Sequence, residues 1–480
     1  MKSPIEKSVW GLVAVAAMVA TSAMGCASGS GTASNAGASY SKPSSSVLRL
    51  HRETVLPNGL RILFVPDQSL PSLSMGLMVK SGASEDPEGM AGLTNLVASL
   101  LDQGTRKRNA LQIGDDLGRI GASFRASVDH DYSYMSISGL STASDELFSN
   151  FFEITTMPSF ADAELARVKK QIVGGIERAF DNPRYIADLA ATRALFGKHP
   201  YGRSVAGTSK EVASLSKKNV IQHYLRYFRP NNSVLVVVGQ FDGDFEKKVE
   251  TEFGTWAKRE VEQEALPVHK GPEGIRIVVV DKPGLTQAQI RFVTMGIRRS
   301  SEDFLPLRVG NTVFGGAFAS RLNDRIRKEL GLTYSISSGF DARLSEGPFE
   351  IETFTKVDSI EKVVVETLAM YKKLLSDGIT SDEIKRVRGY LAGVFPQAIE
   401  TSDKLAYNML LLRLYGIPDS YLTNYVRDLG GVSVSDVNAA LRKALNPKNL
   451  TVVIHAPAAS AESLKGKFDS YEVIPVSSLQ

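Results

Sequence analysis

The chain carries one design twice. NGLRILFVPDQSLPSLSMGLMVKSG, Asn58 to Gly82, returns as EGIRIVVVDKPGLTQAQIRFVTMGI, Glu273 to Ile297, with Gly59 matched to Gly274 at an offset of 215. RPNNSVLVVVGQFD, Arg229 to Asp242, returns as NPKNLTVVIHAPAA, Asn446 to Ala459, with Pro230 matched to Pro447 at an offset of 217. Two independent segments with nearly one offset imply a duplication of roughly 220 residues, too long a period for a solenoid. Each opening segment holds two β-rich runs around a polar turn, the pattern of a hairpin. Between the landmarks, Leu165, Val168, Ile172, Ile176 and Ala179 recur at helical spacing. Strands flanking runs of helices predict an α+β fold. It would hold two homologous domains, each a mainly antiparallel sheet with helices packed on one face.

The expected division is residues 48–257 for the first domain, 258–273 for a charged, proline-containing linker and 274–475 for the second. Ahead of them, Lys2 and Lys7 precede an apolar run from Val9 to Gly25. That run is shorter than the roughly 20 residues a spanning helix needs. It fits the core of a signal peptide over residues 1–26. Ala23-Met24-Gly25-Cys26 resembles a bacterial lipobox, with Cys26 as the lipidated residue. It is the chain's one cysteine, which excludes an intrachain disulfide and a cysteine-rich metal cluster. Residues 27–47, rich in Gly, Ser and Ala, read as a flexible tether. The expectation is a lipoprotein anchored to a membrane surface outside the cytoplasm. Ala27 after the lipidated cysteine points to the outer membrane, facing the periplasm. A net charge of +4 over 480 residues, with no dense Lys/Arg run, argues against nucleic acid as a partner.

GLTNLVASLLDQGT, Gly92 to Thr105, reads as a helix with Leu93, Leu96, Val97, Leu100 and Leu101 as its core stripe. With its preceding residues, PEGMAGLTNLVASLLDQGT resembles the signature helix of the pitrilysin/insulinase/mitochondrial processing peptidase superfamily. Those inverted zinc peptidases carry His-x-x-Glu-His there. Spacing i, i+4 puts two histidines on one helix face to bind zinc, and the glutamate between them activates water. The resemblance places the first His on Asn95, the Glu on Ala98 and the second His on Ser99. The third ligand, a later Glu, falls on Gly175, and a supporting acidic position falls on Val168. All ligands and the base are absent, and these residue types do not replace imidazole and carboxylate at a catalytic zinc. The resemblance extends over LPNGLRILFVPD, SGASEDPEG and HPYGRSVAGT, and covers roughly Leu48 to Ala459. His199, a lone imidazole, reads as structural. Asp129-His130-Asp131 reads as a turn or surface segment, because adjacent strand residues face opposite ways.

FGGAFASRLNDRIRKELGLTYSISSGF, Phe314 to Phe340, resembles the superfamily's Gly-Gly…Ser-Arg-Leu…Gly-Leu-x-Tyr segment. Arg327 and Tyr334 fall on an Arg and a Tyr that in the family reach substrate across the chamber. Locally, a helix is predicted to end at Leu330, with Gly331 as a left-handed cap. Leu332, Tyr334 and Ile336 then alternate with Thr333 and Ser335 as in a strand. A guanidinium and a phenol suit a peptide carbonyl or its developing oxyanion.

The resemblance implies a non-catalytic subunit that binds extended peptides and binds no cofactor itself. Zinc would reside on a homologous partner subunit carrying His-x-x-Glu-His. A catalytically inert scaffold or assembly protein of the same fold is the alternative. A stand-alone peptidase is the least supported reading, because no Gly-x-Ser-x-Gly motif is present.

Overall fold

The computed structural model describes residues 51–480 apart from Gln263. Cys26, the apolar run and the tether lie outside the described residues. The duplication is visible as two six-stranded sheets. The first contains β1 (Arg52–Val55), β2 (Arg61–Pro66), β3 (Ser72–Val79), β4 (Ser123–Val128), β5 (Ser133–Leu140) and β6 (Ser233–Gly239), in the order β1-β2-β6-β3-β5-β4. The second contains β7 (Ile275–Asp281), β8 (Gln287–Met295), β9 (Ile336–Phe340), β10 (Pro348–Lys356), β11 (Leu450–Ala456) and β12 (Ser470–Pro475), in the order β12-β7-β11-β8-β10-β9. Antiparallel neighbours dominate, with a parallel pair at β2–β6 and parallel pairs at β7–β11 and β12–β7.

Register repeats to the residue. Arg61 pairs with Val234 and Arg276 with Thr451. Met78 pairs with Val234 and Val293 with Thr451. These pairs carry the 215 and 217 offsets into the ladders. Register is fixed this firmly because a one-residue slip would turn each core face outward.

Each sheet packs its own helices on one face, as the sequence pattern predicts. The opposite face is covered by a helix from the other copy. The Ser402–Tyr415 helix lies on β3 and β6, with Leu405, Met409, Leu410 and Leu412 packed against Leu63, Val65, Met78 and Val236. Reciprocally, the Pro183–Phe196 helix lies on β8 and β11, with Ile186, Leu189, Ala190 and Leu195 against Val278, Val280, Val293 and Val453. This exchange explains why β6 and β11 are buried along their whole length. A strand covered on both faces reads as an unbroken apolar run. The buried Arg291 of β8 donates from Nε to Asp188 of the exchanged helix at 2.6 Å. The described residues of 258–273 form no helix or strand. Packing continues past residue 475, since Leu479 is buried against the Pro183–Phe196 helix and its neighbours.

The Asp129-His130-Asp131 segment forms the β4–β5 turn, with Asp131 buried and Asp129 and His130 half-buried. The loop after β9 reaches into it from the second domain. Asp131 accepts from Tyr201 Oη at 2.5 Å and from the Leu344 backbone N–H at 2.8 Å. Arg343 lies 4.7 Å over the Tyr201 ring and donates to Asp341 at 2.6 Å. Burial, Asp341 and Asp131 together push the Asp129 carboxyl up to about 7, against the pull of Arg343. An unfolded aspartate titrates near 4. Folded Asp129 therefore holds its proton more tightly than the unfolded chain does. Its contribution to stability is full below about pH 4 and is lost as pH rises through about 7. Asp129→Asn imitates the protonated acid. Its melting temperature should match wild type near pH 4 and exceed it increasingly up to pH 8. A difference constant across that range would show that Asp129 titrates normally.

Candidate functional site

The signature helix runs from Leu93 to Leu100 behind a left-handed Gly92 at φ 91°. A side chain at Gly92 would meet the Ala206 carbonyl at 2.6 Å, so the helix entry depends on glycine. The helix packs on the Asp162–Ala179 and Lys217–Tyr227 helices and against β4. Leu93, Leu96, Val97, Leu100 and Leu101 enter the core as the spacing predicts.

The positions matched to the zinc site form no metal centre. Asn95 and Ser99 are half-buried, and Gly175 is buried within an unbroken helix. Two adjacent glycines there cost about 1 kcal/mol each relative to alanine. Ala98, at the base position, is 2% exposed and packs with Ala83 and Val128, bordered by Ala126 and Val205. Val168 is a core residue. Among the described residues no group of three His, Cys, Asp or Glu is placed to hold a metal ion. Alanine and glycine offer no side-chain ligand, and Asn95 and Ser99 do not replace imidazole, so these positions do not fit zinc.

A polar network missed by pattern reading anchors the helix without metal. Buried Asp86 accepts from the backbone N–H groups of Gly92 and Thr94 at 2.8 Å each, and from Thr94 Oγ1 at 2.6 Å. With the Thr94 proton spent on Asp86, its oxygen accepts from His223 Nε2 at 2.8 Å. Burial raises the Asp86 carboxyl to about 6, against the lowering effect of these hydrogen bonds. Burial lowers His223 to about 3, so it is neutral at physiological pH. The network satisfies helix N-terminal donors that otherwise lack partners. No sequence spacing announces it, because Thr94 and His223 are 129 residues apart. His199 is likewise committed. Its Nδ1 accepts from the Tyr201 backbone and its Nε2 donates to the Pro267 carbonyl at 3.0 Å.

The second copy brings Arg327 and Tyr334 together. Arg327 lies in a wide helical turn from Asn323 to Glu329, where the Leu330 N–H reaches back to the Arg325 carbonyl. Gly331, at φ 61°, reverses the chain as predicted. The alternation from Leu332 predicts a strand there, but β9 begins at Ile336. Thr333 breaks the pattern by turning inward, and its Oγ1 donates to the Phe354 carbonyl at 2.6 Å. Thr355 Oγ1 also donates to the Leu332 carbonyl at 2.6 Å. Clamped by side chains rather than a ladder, the segment turns Tyr334 outward, where it is 75% exposed.

The Arg327 guanidinium lies 5.1 Å from the Tyr334 ring centroid and 4.6 Å from that of Phe318. Each such contact contributes about 0.5–1 kcal/mol at an exposed site. Neighbouring cations are spent on carboxylates. Arg321 forms a fork with Glu383 at 2.7 Å twice, Arg325 pairs with Glu329 and Glu366, and Lys328 pairs with Asp324. Glu383 is held down at about 2 against its own burial, chiefly by Arg321. Arg327 has no carboxylate partner among the described residues. Phe318 was not foreseeable as part of this site, because an aromatic after Gly-Gly carries no mark of exposure.

Comparisons with known proteins agree on the fold. The model of the insulinase family (peptidase family M16) matches residues 61–209, and that of the peptidase M16 inactive domain matches residues 214–391. An uncharacterized zinc protease of Bacillus subtilis is 26% identical over 394 residues, spanning 80% of this chain and 93% of its own. A non-peptidase homolog of Helicobacter pylori is 24% identical over 408 residues, spanning 82% and 91%. The crystal structure of a peptidase M16 inactive domain from Pseudomonas fluorescens superposes with a TM-score of 0.80 at 24% identity, over 85% of this chain and 98% of that one. A protease structure from Helicobacter pylori gives 0.77 at 19% identity, over 85% and 99%.

Proposed function

The chain belongs to the pitrilysin-like M16 peptidase superfamily as an inactive member, and from that premise we propose that it is the non-catalytic, substrate-binding subunit of a two-chain zinc peptidase. Its partner is a homologous subunit bearing His-x-x-Glu-His, which supplies the zinc and the general base. This chain supplies half of the chamber wall and the Arg327–Tyr334 pair. Substrates are extended peptides outside the cytoplasm, and Cys26 ties the assembly to the outer membrane facing the periplasm.

One observation carries the reading: Arg327 is held by exposed aromatic rings and left without a carboxylate, while the cations around it are paired. A stability role would be served by an ion pair, as at Arg321. A guanidinium with unspent donors suits a ligand carbonyl or a transition-state oxyanion. The open edge of β4, beside the signature helix, supports binding of an extended peptide by strand addition. Packing of Ala98 into a small apolar cluster favours the inert-scaffold reading instead, since it shows the helix retained for packing.

One experiment separates the two. The tagged full-length protein is captured from its own membranes, and the eluate is analysed by mass spectrometry and by cleavage of unstructured peptides. A stoichiometric partner bearing His-x-x-Glu-His, with chelator-sensitive cleavage, is expected. A lone or self-paired chain without activity would establish the scaffold.

A further inference from the structure

Resting on the reading of Arg327 and Tyr334 as a substrate-facing pair, we propose that Phe318, Arg327 and Tyr334 form a carboxylate-binding site, which receives a carboxylate of a bound peptide. Three features lead there. First, the two rings are 65% and 75% exposed, an uncommon placement for large aromatics, and both pack on the Arg327 guanidinium; Lys328, 5.9 Å from the Phe318 ring centroid, is paired with Asp324. Second, contacts to the rings occupy the guanidinium without using its N–H donors. Those donors form a planar fork that matches two oxygens of one carboxylate, whereas a peptide carbonyl offers a single oxygen. Third, no acidic side chain of this chain fills that fork, although Glu329, Glu366, Asp324 and Glu383 all pair with nearby cations. One positive charge is therefore uncompensated at the rings.

The site is built before any ligand arrives. Gly315 and Gly316 bring the Phe318 loop close to neighbouring side chains: an added Cβ would lie 2.4 Å from Ser338 Oγ at Gly315 and 2.8 Å from Asn311 Nδ2 at Gly316. Asn323 Nδ2 donates to Ser320 Oγ at 3.2 Å and to the Ile336 carbonyl at 2.8 Å, joining the loop to β9. Thr333 fixes the backbone beside Tyr334. Holding both rings in place reduces the ordering cost of binding. Phe318 acts through Arg327, as a positioning residue.

The test uses the full-length protein in detergent and three fluorescent peptides of one unstructured sequence without acidic residues. One ends in a free carboxylate, one in an amide, and one in an amide preceded by a single aspartate. Anisotropy reads their dissociation constants. The free acid should bind about 10-fold more tightly than the amide, as expected for a charge-assisted pair. Arg327→Ala and Arg327→Lys should abolish that preference. Phe318→Ala should reduce it, and Phe318→Trp should retain it. Recovery of tight binding by the aspartate peptide would identify any carboxylate as sufficient. Its failure would identify the chain terminus, and either result supports the site. Equal binding of acid and amide, with both weakened by Arg327→Ala, would overturn the carboxylate site while leaving the peptide-binding reading intact. Indifference of every peptide to Arg327→Ala, or no binding at all, would overturn both.

Discussion

Glutamate at Ala98 should destabilise the protein by about 3 kcal/mol or more, even though the family's zinc peptidases carry glutamate at that position. Those peptidases offset the charge with a metal beside it. Here Ala98 faces Ala83, Val128, Ala126 and Val205, with 2% of its surface exposed. A carboxylate entering that cluster leaves water without a cation to meet it, and an uncompensated buried charge costs about 3–5 kcal/mol. Extra volume adds about 1–3 kcal/mol of overpacking. Chemical denaturation of Ala98→Glu against Ala98→Ser separates charge from polarity, since serine adds one atom that can bond back to the helix. A glutamate variant as stable as wild type would mean that the position opens to solvent. The apolar cluster would then be no barrier to regaining a catalytic base.

What the sequence disclosed and what it hid follow from the range of each signal. The duplication was legible to the residue, because a β-ladder transmits register without slip: Arg61 with Val234 and Arg276 with Thr451 occupy equivalent rungs. The absence of ligands at Asn95, Ala98, Ser99 and Gly175 was legible because metal chemistry depends on residue type. The exchange of helices between sheets was not. Apolar positions such as Leu405, Met409 and Leu412 show that a helix is buried, not which sheet buries it. The Asp129-His130-Asp131 turn was located correctly, yet its burial comes from Arg343 and Leu344, more than 200 residues away. At Tyr334 a period of two predicted a strand, and a single inward threonine overrode it.

Arg327→Ala should lower kcat/KM of the reconstituted two-chain assembly about 10- to 100-fold, the loss of the roughly 1.5–3 kcal/mol that a hydrogen bond to a charged ligand group supplies. Stability should fall by no more than about 1–2 kcal/mol, the loss of two exposed cation–π contacts, because Arg327 holds no carboxylate in the folded chain. This separation of effects is what distinguishes the pair from its neighbours. Arg321 carries a bidentate pair to Glu383, so its loss should cost stability first. Tyr334→Phe removes one hydroxyl and leaves the ring over the guanidinium, so a smaller loss of roughly 10-fold is expected, confined to kcat if the hydroxyl acts in the transition state. The double variant should lose less than the product of the two, because both groups address the same substrate atoms. Size-exclusion chromatography must show the variants still paired with the zinc subunit, which assigns the loss to chemistry rather than assembly. An unchanged rate in a fully paired Arg327→Ala assembly would remove this chain from the active site. Its fold would then serve the partner only as a wall.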